Sequence, residues 1–186
     1  SLSYAAMQFT NSIPLHPIYE PAPEVWDRFV SAHPAAHILQ TAGWGKLKQQ
    51  FEWQAMPIAL ADANGEVRAA ALTLLRTIGW RGIGISLGYV PCGPLVDWQN
   101  RAETHALLAA IEQRCRQQGA ALLKIEPDLP DTAANRQLLA SYGFQPSAQS
   151  IQPRSTTIID ISGDEEAILA SMKQKWRYNV RLSQKK

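Results

Sequence analysis

Hydrophobic residues recur along this chain at two different spacings, and the change from one to the other predicts a succession of helices and strands. Residues 22–32 carry apolar side chains at helical spacing, and His33-Pro34 ends that helix. Thr41 is a suitable N-cap for a second, short helix within the segment LQTAGWGKLKQQFEW. Two helices are therefore expected before the first predicted strand.

The middle of the chain predicts paired strands. Residues 54–62 and 66–76 are apolar and rich in residues that favour strands. Asn64-Gly65 between them predicts a type I′ turn, which joins adjacent antiparallel strands. Residues 77–94 are rich in glycine and proline, with a strand-like piece around Leu87–Val90.

Helices and strands alternate more regularly in the second half. Asn100-Arg101-Ala102-Glu103 has the form of a capping box, and the helix that it begins has a good stop at Gly119. Ala120–Glu126 predicts a compact strand, and residues 132–142 predict a helix that Gly143 closes. This order predicts an α/β fold of the α+β type, a mixed sheet flanked by helices.

The end of the chain predicts one more strand, at residues 156–161, and then a helical region. Ser162 and Glu165 form a second capping box, which opens residues 162–186 as one helical region or as two abutting helices. From Lys173 onward there are six basic residues and no acidic one, whereas the rest of the chain has twelve basic and sixteen acidic residues. This contrast predicts an anionic partner for the end of the chain, or else a solvated helix tail.

Two stripes run along that helical region. Apolar residues recur every four positions, and a basic stripe lies one position further along, at Lys173, Arg177 and Arg181. Trp176 and Tyr178 place aromatic rings among the cations, which suits contacts to RNA or to a nucleotide. A packing helix with solvated basic residues is the alternative.

Composition and cysteine usage indicate a globular cytoplasmic protein. The chain is 46% hydrophobic and 18% charged, it has no apolar run of membrane-spanning length, and its start lacks the pattern of a secretory signal. The two cysteines lie in unlike contexts, and the four histidines show no metal-ligand spacing, so no metal is expected.

Chemistry-bearing motifs are few. The stretch Arg81-Gly82-Ile83-Gly84 echoes a phosphate-binding loop, but a strand-like segment follows it where a helix would be needed, so a turn between strands is preferred. Glu126 and Asp128 follow a strand end, and a structural role is preferred for both. Trp44 and Lys48 are four residues apart on one helix face, where a lysine beside an aromatic ring can hold a phosphate; Lys46 is a second basic residue there. The catalytic residues remain unassigned.

Five stretches in this order resemble the Fem family of aminoacyltransferases, from about Ile38 onward: LQTAGWGKLKQQFEW, YVPCGPLVD, ALLKIEPDL, YGFQPS and IQPRSTTIIDISGDEEAILASMKQKWRYNVRLSQKK. The last stretch is the most diagnostic, with Gln152-Pro153 before a strand and a basic helix after it. The resemblance implies two tandem domains of the acyl-CoA N-acyltransferase (GNAT)-like fold. Residues 1–186 would be the N-terminal domain, and residues 164–186 a basic helix leading to a second domain that is absent here.

The resemblance also implies a reaction. Fem enzymes transfer an amino acid from aminoacyl-tRNA to the peptide of a peptidoglycan precursor, which is lipid-linked or UDP-linked, in the cytoplasm and without a cofactor. A lysine in the segment Gly43–Lys48 is implied to contact the acceptor's diphosphate, with Lys48 favoured over Lys46. A transient contact with the inner membrane surface is a further expected partner interaction, whereas DNA is not. Because the second domain is absent, this chain alone is expected to be an inactive fragment.

Two other functional classes stay open at this point. A coenzyme A-dependent N-acyltransferase would share the fold. A non-catalytic module that binds RNA or a membrane surface would share the basic helix. The aminoacyl ester of a tRNA is already activated, so an enzyme of the favoured class works mainly by positioning the amine and stabilising the oxyanion. It needs no protein nucleophile.

Overall fold

A computed structural model describes residues 14–80, 83–153, 155–156 and 160–184 of the protein. The chain divides into a first unit that ends at Gln152 and a second unit that begins at Pro153. Within the described residues, no helix combines the length and the apolar character needed to cross a membrane.

The first unit is built on one mixed sheet whose strand order follows the sequence. Its strands are β1 (His16–Tyr19), β2 (Gln54–Ala61), β3 (Val67–Trp80), β4 (Ile83–Pro91) and β5 (Ala120–Glu126). Strands β1 to β4 are antiparallel neighbours, and β5 runs parallel to β4. Four helices accompany them: α1 (Pro23–Ala32), α2 (Ala42–Gln49), α3 (Arg101–Gln117) and α4 (Ala133–Ser141).

Helices cover both faces of this sheet because successive side chains on its central strands point to opposite sides. Ile58 and Leu60 pack in the core on one face, where α3 contributes Leu107 and Ile111. Ala59, between them, belongs to the core on the other face, which α1 closes with Trp26 and Val30. Full burial of a side chain such as Leu107 stabilises the fold by about 1.5–3 kcal/mol.

Helix α3 crosses from the end of β4 to the start of β5, which makes those two strands parallel. Asn100 caps α3, since its side chain accepts a hydrogen bond from the Glu103 N–H at 3.2 Å. Gly119 follows the helix at a φ of 74°, a left-handed conformation that glycine adopts without strain. The carboxyl ends of β4 and β5 consequently meet at the same edge, where Pro91 pairs with Glu126.

Strands β3 and β4 separate at one end, and a buried glutamine fills the gap. The ladder runs as far as Leu74 opposite Tyr89; continued, it would place Thr73 opposite Val90 and then Leu72 opposite Pro91. Instead, the Leu72 N–H donates to Gln40 Oε1 at 2.7 Å, and Gln40 Nε2 donates to the Pro91 carbonyl at 2.5 Å. The side-chain amide of Gln40, fully buried, thus replaces a peptide group of the missing ladder.

The same glutamine fixes the elements around it. It ends a 3-10 turn, Ile38–Gln40, directly before the cap of α2, and its carbonyl accepts a hydrogen bond from the Trp26 indole of α1 at 2.7 Å. Gly93 lies against it: a Cβ there would come within 2.8 Å of the Gln40 side-chain amide, so this position accommodates only glycine without rearrangement. Beyond this bulge, Leu95 pairs with Ala70 again.

The predicted hairpin is confirmed, but its predicted turn type is wrong. Strands β2 and β3 pair antiparallel as expected. A type I′ turn needs positive φ at both central residues, whereas only Gly65 in the loop has one, at 81°. The Asp62 carboxylate accepts hydrogen bonds from the Asn64 and Glu66 N–H groups, and this favours a three-residue loop that ends on a left-handed glycine.

Other boundaries differ in smaller ways. Strand β5 has the predicted limits, whereas β4 begins before the expected residue 87. Strand β1 was not predicted. Of the strand expected at residues 156–161, residues 157–159 lie outside the described part of the chain, and the described residues 156 and 160–161 lie in no strand.

The second unit contains two abutting helices, α5 (Glu165–Ser171) and α6 (Gln174–Ser183), one of the two arrangements expected. The predicted cap at Ser162 is wrong. Asp164 caps α5 by accepting from the Ala167 N–H at 2.7 Å, while Ser162 donates to Asp160 instead. A carboxylate two residues nearer the first turn is a stronger acceptor for it than the serine hydroxyl.

Replacing Gln40 by leucine should strongly destabilise the protein. The substitution leaves the Leu72 N–H and the Pro91 carbonyl buried without partners, so the free energy of unfolding should fall by about 2–4 kcal/mol. Urea unfolding of the chain measures this, with Gln49→Leu on the exposed side of α2 as the control. Equal effects of the two substitutions would contradict the bridging role of Gln40.

Candidate functional site

The carboxyl ends of β4 and β5 lie side by side at one edge of the sheet, and parallel strands commonly place ligand sites at such an edge. Directly after β4, Cys92 has a φ of 45°, which a non-glycine residue rarely adopts. Tyr89 on β4 and Glu126 on β5 lie just inside this edge, and the Tyr89 hydroxyl donates to Glu126 Oε2 at 2.7 Å. Chemistry-bearing side chains from two strands therefore meet here.

Glu126 holds a loop across this edge through hydrogen bonds to the main chain. Its carboxylate accepts the Ile151 N–H at 2.7 Å and the Gln152 N–H at 2.9 Å. The Gln152 side-chain amide also donates to the Tyr89 hydroxyl oxygen at 3.1 Å. The Ser150 hydroxyl lies 3.4 Å from the same carboxylate. We call residues 147–152 the strap.

Lys124 secures the other end of the strap. Its ammonium donates to the Ser147 hydroxyl at 2.9 Å and to the Gln149 carbonyl, and it lies 3.7 Å from Glu126 Oε1. The Lys124 and Glu126 side chains are only 13% and 16% exposed, so this ion pair is largely shielded from water. Alternate residues of β5 thus anchor both ends of the strap.

The ionisation states at this edge follow from these contacts. Burial alone would raise the pKa of the Glu126 carboxyl, but hydrogen bonds from Ile151, Tyr89 and Gln152, together with the charge of Lys124, lower it below its ordinary value. Burial and the hydrogen bond to Glu126 raise the pKa of the Tyr89 hydroxyl, which therefore keeps its proton and donates it.

Cys92 is the thiol nearest this edge. Burial raises its pKa, and the negative charges of Asp128 and Glu126 raise it further. A thiol in this environment is a weak nucleophile at neutral pH, because the thiolate is the reactive form. The surroundings of Cys92 therefore do not favour covalent catalysis.

A second group of side chains forms what we call the cation–aromatic face: Trp44 and Lys48 on α2, Trp53 before β2, and Arg76 on β3. The Lys48 ammonium lies 5.3 Å from the Trp44 ring centroid and 5.4 Å from that of Trp53. The Arg76 guanidinium lies 5.6 Å from the Trp53 ring. Cations at these distances are attracted to the faces of aromatic rings.

Trp53 connects the two groups, since its ring centroid lies 6.2 Å from that of Tyr89. A continuous series of contacts therefore leads from Lys48 through Trp53 and Tyr89 to Glu126 and the strap. Such an arrangement suits an anionic ligand with an apolar or sugar-like part, because it offers two cations beside aromatic surfaces.

The structure brings together only some of the residues singled out in the sequence. Trp44 and Lys48 share a face as predicted, and the Trp44 Nε1 atom is buried without a hydrogen-bond partner among the described residues. Lys46 lies on the exposed side of α2. The sequence did not single out Trp53 and Arg76, which reach this face from the residue before β2 and from β3.

The basic residues of the second unit have a different setting. Lys173 precedes α6 with an extended backbone, and Arg177 donates to the Ala170 carbonyl at the end of α5, at 3.2 Å. Arg177 and Arg181 line a hollow between the two helices with Glu165 and other residues of α5. Trp176 and Tyr178, in contrast, are 64% and 65% exposed.

The glycine stretch at residues 81–84 does not form a phosphate-binding loop in its described part. Ile83 and Gly84 begin β4 and pair with Trp80 and Gly79 of β3, so no helix N-terminus follows them. Arg81 and Gly82 lie outside the described residues. Within the described part of the chain, no three His, Cys, Asp or Glu side chains are placed to hold a metal ion.

Comparison with known proteins identifies a matching family and relatives of known structure. A family model described as the FemAB family matches residues 22–141. The chain is 31% identical over 169 residues to the lipid II:glycine glycyltransferase of Staphylococcus aureus, with 86% of this chain and 39% of that protein covered. The crystal structure of FemX superposes with a TM-score of 0.73 at 29% identity, over 92% of this chain and 44% of that one.

The chain thus spans less than half of the length of either relative. A Trypanosoma brucei acetyltransferase, 11% identical, superposes with a TM-score of 0.54 over 76% of this chain and all of that one. This likeness concerns the fold alone. It confirms the predicted mixed sheet flanked by helices and its acyl-CoA N-acyltransferase-like fold.

The Glu126 carboxyl should titrate below the ordinary glutamate value of 4.5, and Tyr89→Phe should raise its pKa, because the substitution removes a donor to the ionised form. An NMR pH titration of the carboxyl carbon measures both. Since the pKa is lowered by folding, the stabilisation from Glu126 is present above 4.5 and is lost as the pH falls through the folded value. Tyr19→Phe, at the opposite sheet edge, is the control, and equal pKa values in both variants would contradict the assignment.

Proposed function

This chain belongs to the FemAB family, as its motifs predicted, and we propose that it is the N-terminal part of an aminoacyltransferase that extends the peptide of a peptidoglycan precursor. A second domain of the same fold completes the site. The donor is an aminoacyl-tRNA, and the acceptor is a muropeptide linked to a lipid or to UDP. The enzyme works in the cytoplasm, in transient contact with the inner membrane surface.

The position of Lys48 carries this proposal. A lysine side chain on a surface is normally mobile, whereas this one lies between two indole rings at 5.3 and 5.4 Å. Less side-chain entropy remains to be lost when an anion binds. Lipid-linked and UDP-linked muropeptides share a diphosphate, so one pre-ordered cation serves either acceptor, and Lys46 supplements it from the exposed side of α2.

The aromatic surroundings add a reason for a glycosyl diphosphate. Trp44 and Trp53 present flat apolar surfaces beside the cation, and Arg76 lies on Trp53 with its guanidinium paired to the exposed Glu52 at 3.3 Å. An exposed pair of this kind is weak. Arg76 can therefore exchange Glu52 for a phosphate oxygen at little cost.

Aminoacyl transfer also agrees with the chemistry at the strand ends. An aminoacyl ester needs no further activation, so catalysis rests on placing the acceptor amine and stabilising the oxyanion. The raised pKa of Cys92 argues against an acyl-enzyme route. Coenzyme A-dependent transfer is less well supported, because Ile83 and Gly84 lie in a strand and not at a helix N-terminus.

We assign the donor tRNA to the second unit. Lys173, Arg177 and Arg181 provide the cations, and the exposed Trp176 and Tyr178 provide surfaces on which bases stack. Arg177 is partly committed to the Ala170 carbonyl, so Arg181 is the better probe.

Lys48→Ala in the full-length protein should weaken binding of a UDP-linked muropeptide by about tenfold or more, because a charge-assisted contact of about 1.5–3 kcal/mol is lost. Isothermal titration calorimetry measures the affinity. Lys46→Ala, two residues away and outside the two-tryptophan arrangement, should have a clearly smaller effect. Unchanged affinity in Lys48→Ala would reject this role.

Arg181→Ala should reduce the salt dependence of tRNA binding. Each lost phosphate contact lowers the slope of log affinity against log salt by roughly 0.7–0.9. Binding of tRNA to the full-length protein across a salt series measures the slope, with Arg28→Ala on α1 as the control. Identical slopes for Arg181→Ala, Lys173→Ala and wild type would show that the basic stripe is only a solvated face.

A further inference from the structure

The strap is attached to the sheet through hydrogen bonds to Lys124, Glu126 and Tyr89, and Glu126 accepts those of two successive backbone N–H groups. An ionised carboxylate offers about four acceptor positions. Oε1 accepts from Ile151 N–H and lies near the Ser150 hydroxyl, while Oε2 accepts from Tyr89 and from Gln152 N–H. Three of these positions are filled by hydrogen bonds, and Oε1 also lies 3.7 Å from the Lys124 ammonium, so the carboxylate is largely committed to these contacts.

We propose that Glu126 is a positioning residue, which stays ionised and fixes the strap and Tyr89 as one wall of the acceptor site. It does not take the proton of the acceptor amine. This inference rests on the proposed function, because it concerns where the acceptor binds. It also accounts for Gln152-Pro153, the motif that the sequence marked out without giving it a role.

Gln152 is the residue through which the wall is fixed. Its N–H binds Glu126, and its side-chain amide binds the Tyr89 hydroxyl, which in turn donates to Glu126. These three contacts close a ring of hydrogen bonds, so both the strap and the tyrosine are held in one orientation. Proline after Gln152 restricts the backbone of Gln152 to extended conformations, which keeps the ring closed.

The wall reaches the cation–aromatic face through the contact between Tyr89 and Trp53. The Tyr89 ring is 2% exposed and packs beside Trp53, which itself lies beside Lys48. Displacing the strap frees the Tyr89 hydroxyl and loosens the support of Trp53. Loss of the Glu126 carboxylate therefore also loosens the surroundings of Lys48, although the two residues share no direct contact.

The charged and titratable neighbours of Glu126 either stabilise its ionised form at neutral pH or do not prevent its ionisation. Lys124 lies 3.7 Å away and Tyr89 donates to it, while Cys92 is a neutral thiol and Asp128 is exposed. A carboxylate held in this way is a poor proton acceptor, because protonation would break its hydrogen bonds to the strap.

The first experiment measures the strap in this chain directly. In Glu126→Gln, one carboxylate oxygen becomes an NH₂ group, which cannot accept a backbone N–H. Amide hydrogen exchange at Ile151 and Gln152 should accelerate by about tenfold or more, while exchange in β2 and β3 stays unchanged. Asp128→Asn, an exposed acid two residues further on, is the matched control. Unchanged exchange at Ile151 and Gln152 in Glu126→Gln would overturn the anchoring role.

The second experiment separates positioning from proton transfer in the full-length protein, with a UDP-linked muropeptide and aminoacyl-tRNA as substrates. Glu126→Gln should raise the KM for the muropeptide by about tenfold and leave the pH dependence of kcat unchanged, and Glu126→Asp should recover part of the loss. Disappearance of the acidic limb of the kcat profile, with a fall in kcat of about 10²–10⁴-fold, would identify Glu126 as the proton acceptor and overturn the proposal.

The two experiments distinguish this inference from the proposed function. A wild-type protein that transfers no amino acid would reject aminoacyl transfer, while the hydrogen-exchange result would still decide whether Glu126 anchors the strap. Glu126→Asp guards against a folding defect, because it keeps the charge and shortens the side chain by one methylene.

Discussion

The side-chain amide of Gln40 is the contact on which the first unit depends. Two strands of its sheet part where β4 turns away at Cys92, and a fully buried glutamine supplies the hydrogen bonds that the ladder lacks. Its backbone carbonyl binds the Trp26 indole, and the α2 cap follows it directly. Helices α1 and α2 are thereby fixed to the same point of the sheet, and the position of Lys48 follows from that of Gln40.

The two charged side chains at the candidate site, Glu126 and Lys48, have different kinds of neighbours. At the strand ends, the negative charge of Glu126 is stabilised by backbone N–H groups, a tyrosine hydroxyl and Lys124. These contacts hold the strap and Tyr89 in place. On the cation–aromatic face, Lys48 has aromatic rings beside it and no carboxylate within ion-pair distance in the described residues. A cation with only ring faces as neighbours keeps its capacity to bind an anion, whereas the Glu126 carboxylate is already bound to the strap and to Tyr89.

Local patterns predicted those parts of the fold that depend on neighbours in sequence. The caps at Thr41 and Asn100 and the limits of β5 follow from side chains within a few residues. The turn at Gly65 was assigned the wrong type because the Asp62 carboxylate, outside the dipeptide signal, decides the geometry. Strand β1 was missed because its four residues include a proline and form an edge.

The site was predictable only where one helix face carried it. Trp44 and Lys48 are four residues apart, so helical spacing joins them without knowledge of the fold. Trp53 and Arg76 reach them through the β2–β3 register, and Glu126 is bound by residues about 25 positions further along the chain. An acid at a strand end has the same sequence pattern whether it is solvated or bound by a distant loop. The sequence therefore assigned Glu126 no specific role.

The bridge from Gln40 to Pro91 also bears on the order in which the molecule folds. It joins residues 51 positions apart, whereas β2 and β3 are joined by a three-residue loop. Short hairpins close within microseconds, and contacts between distant residues form only after a larger loss of chain entropy. We therefore expect the hairpin to form early and the glutamine to insert late, between strands already in register. Contacts made after the folding barrier govern how fast a native protein opens, so we expect loss of the Gln40 bridge to act mainly by raising the unfolding rate of the first unit.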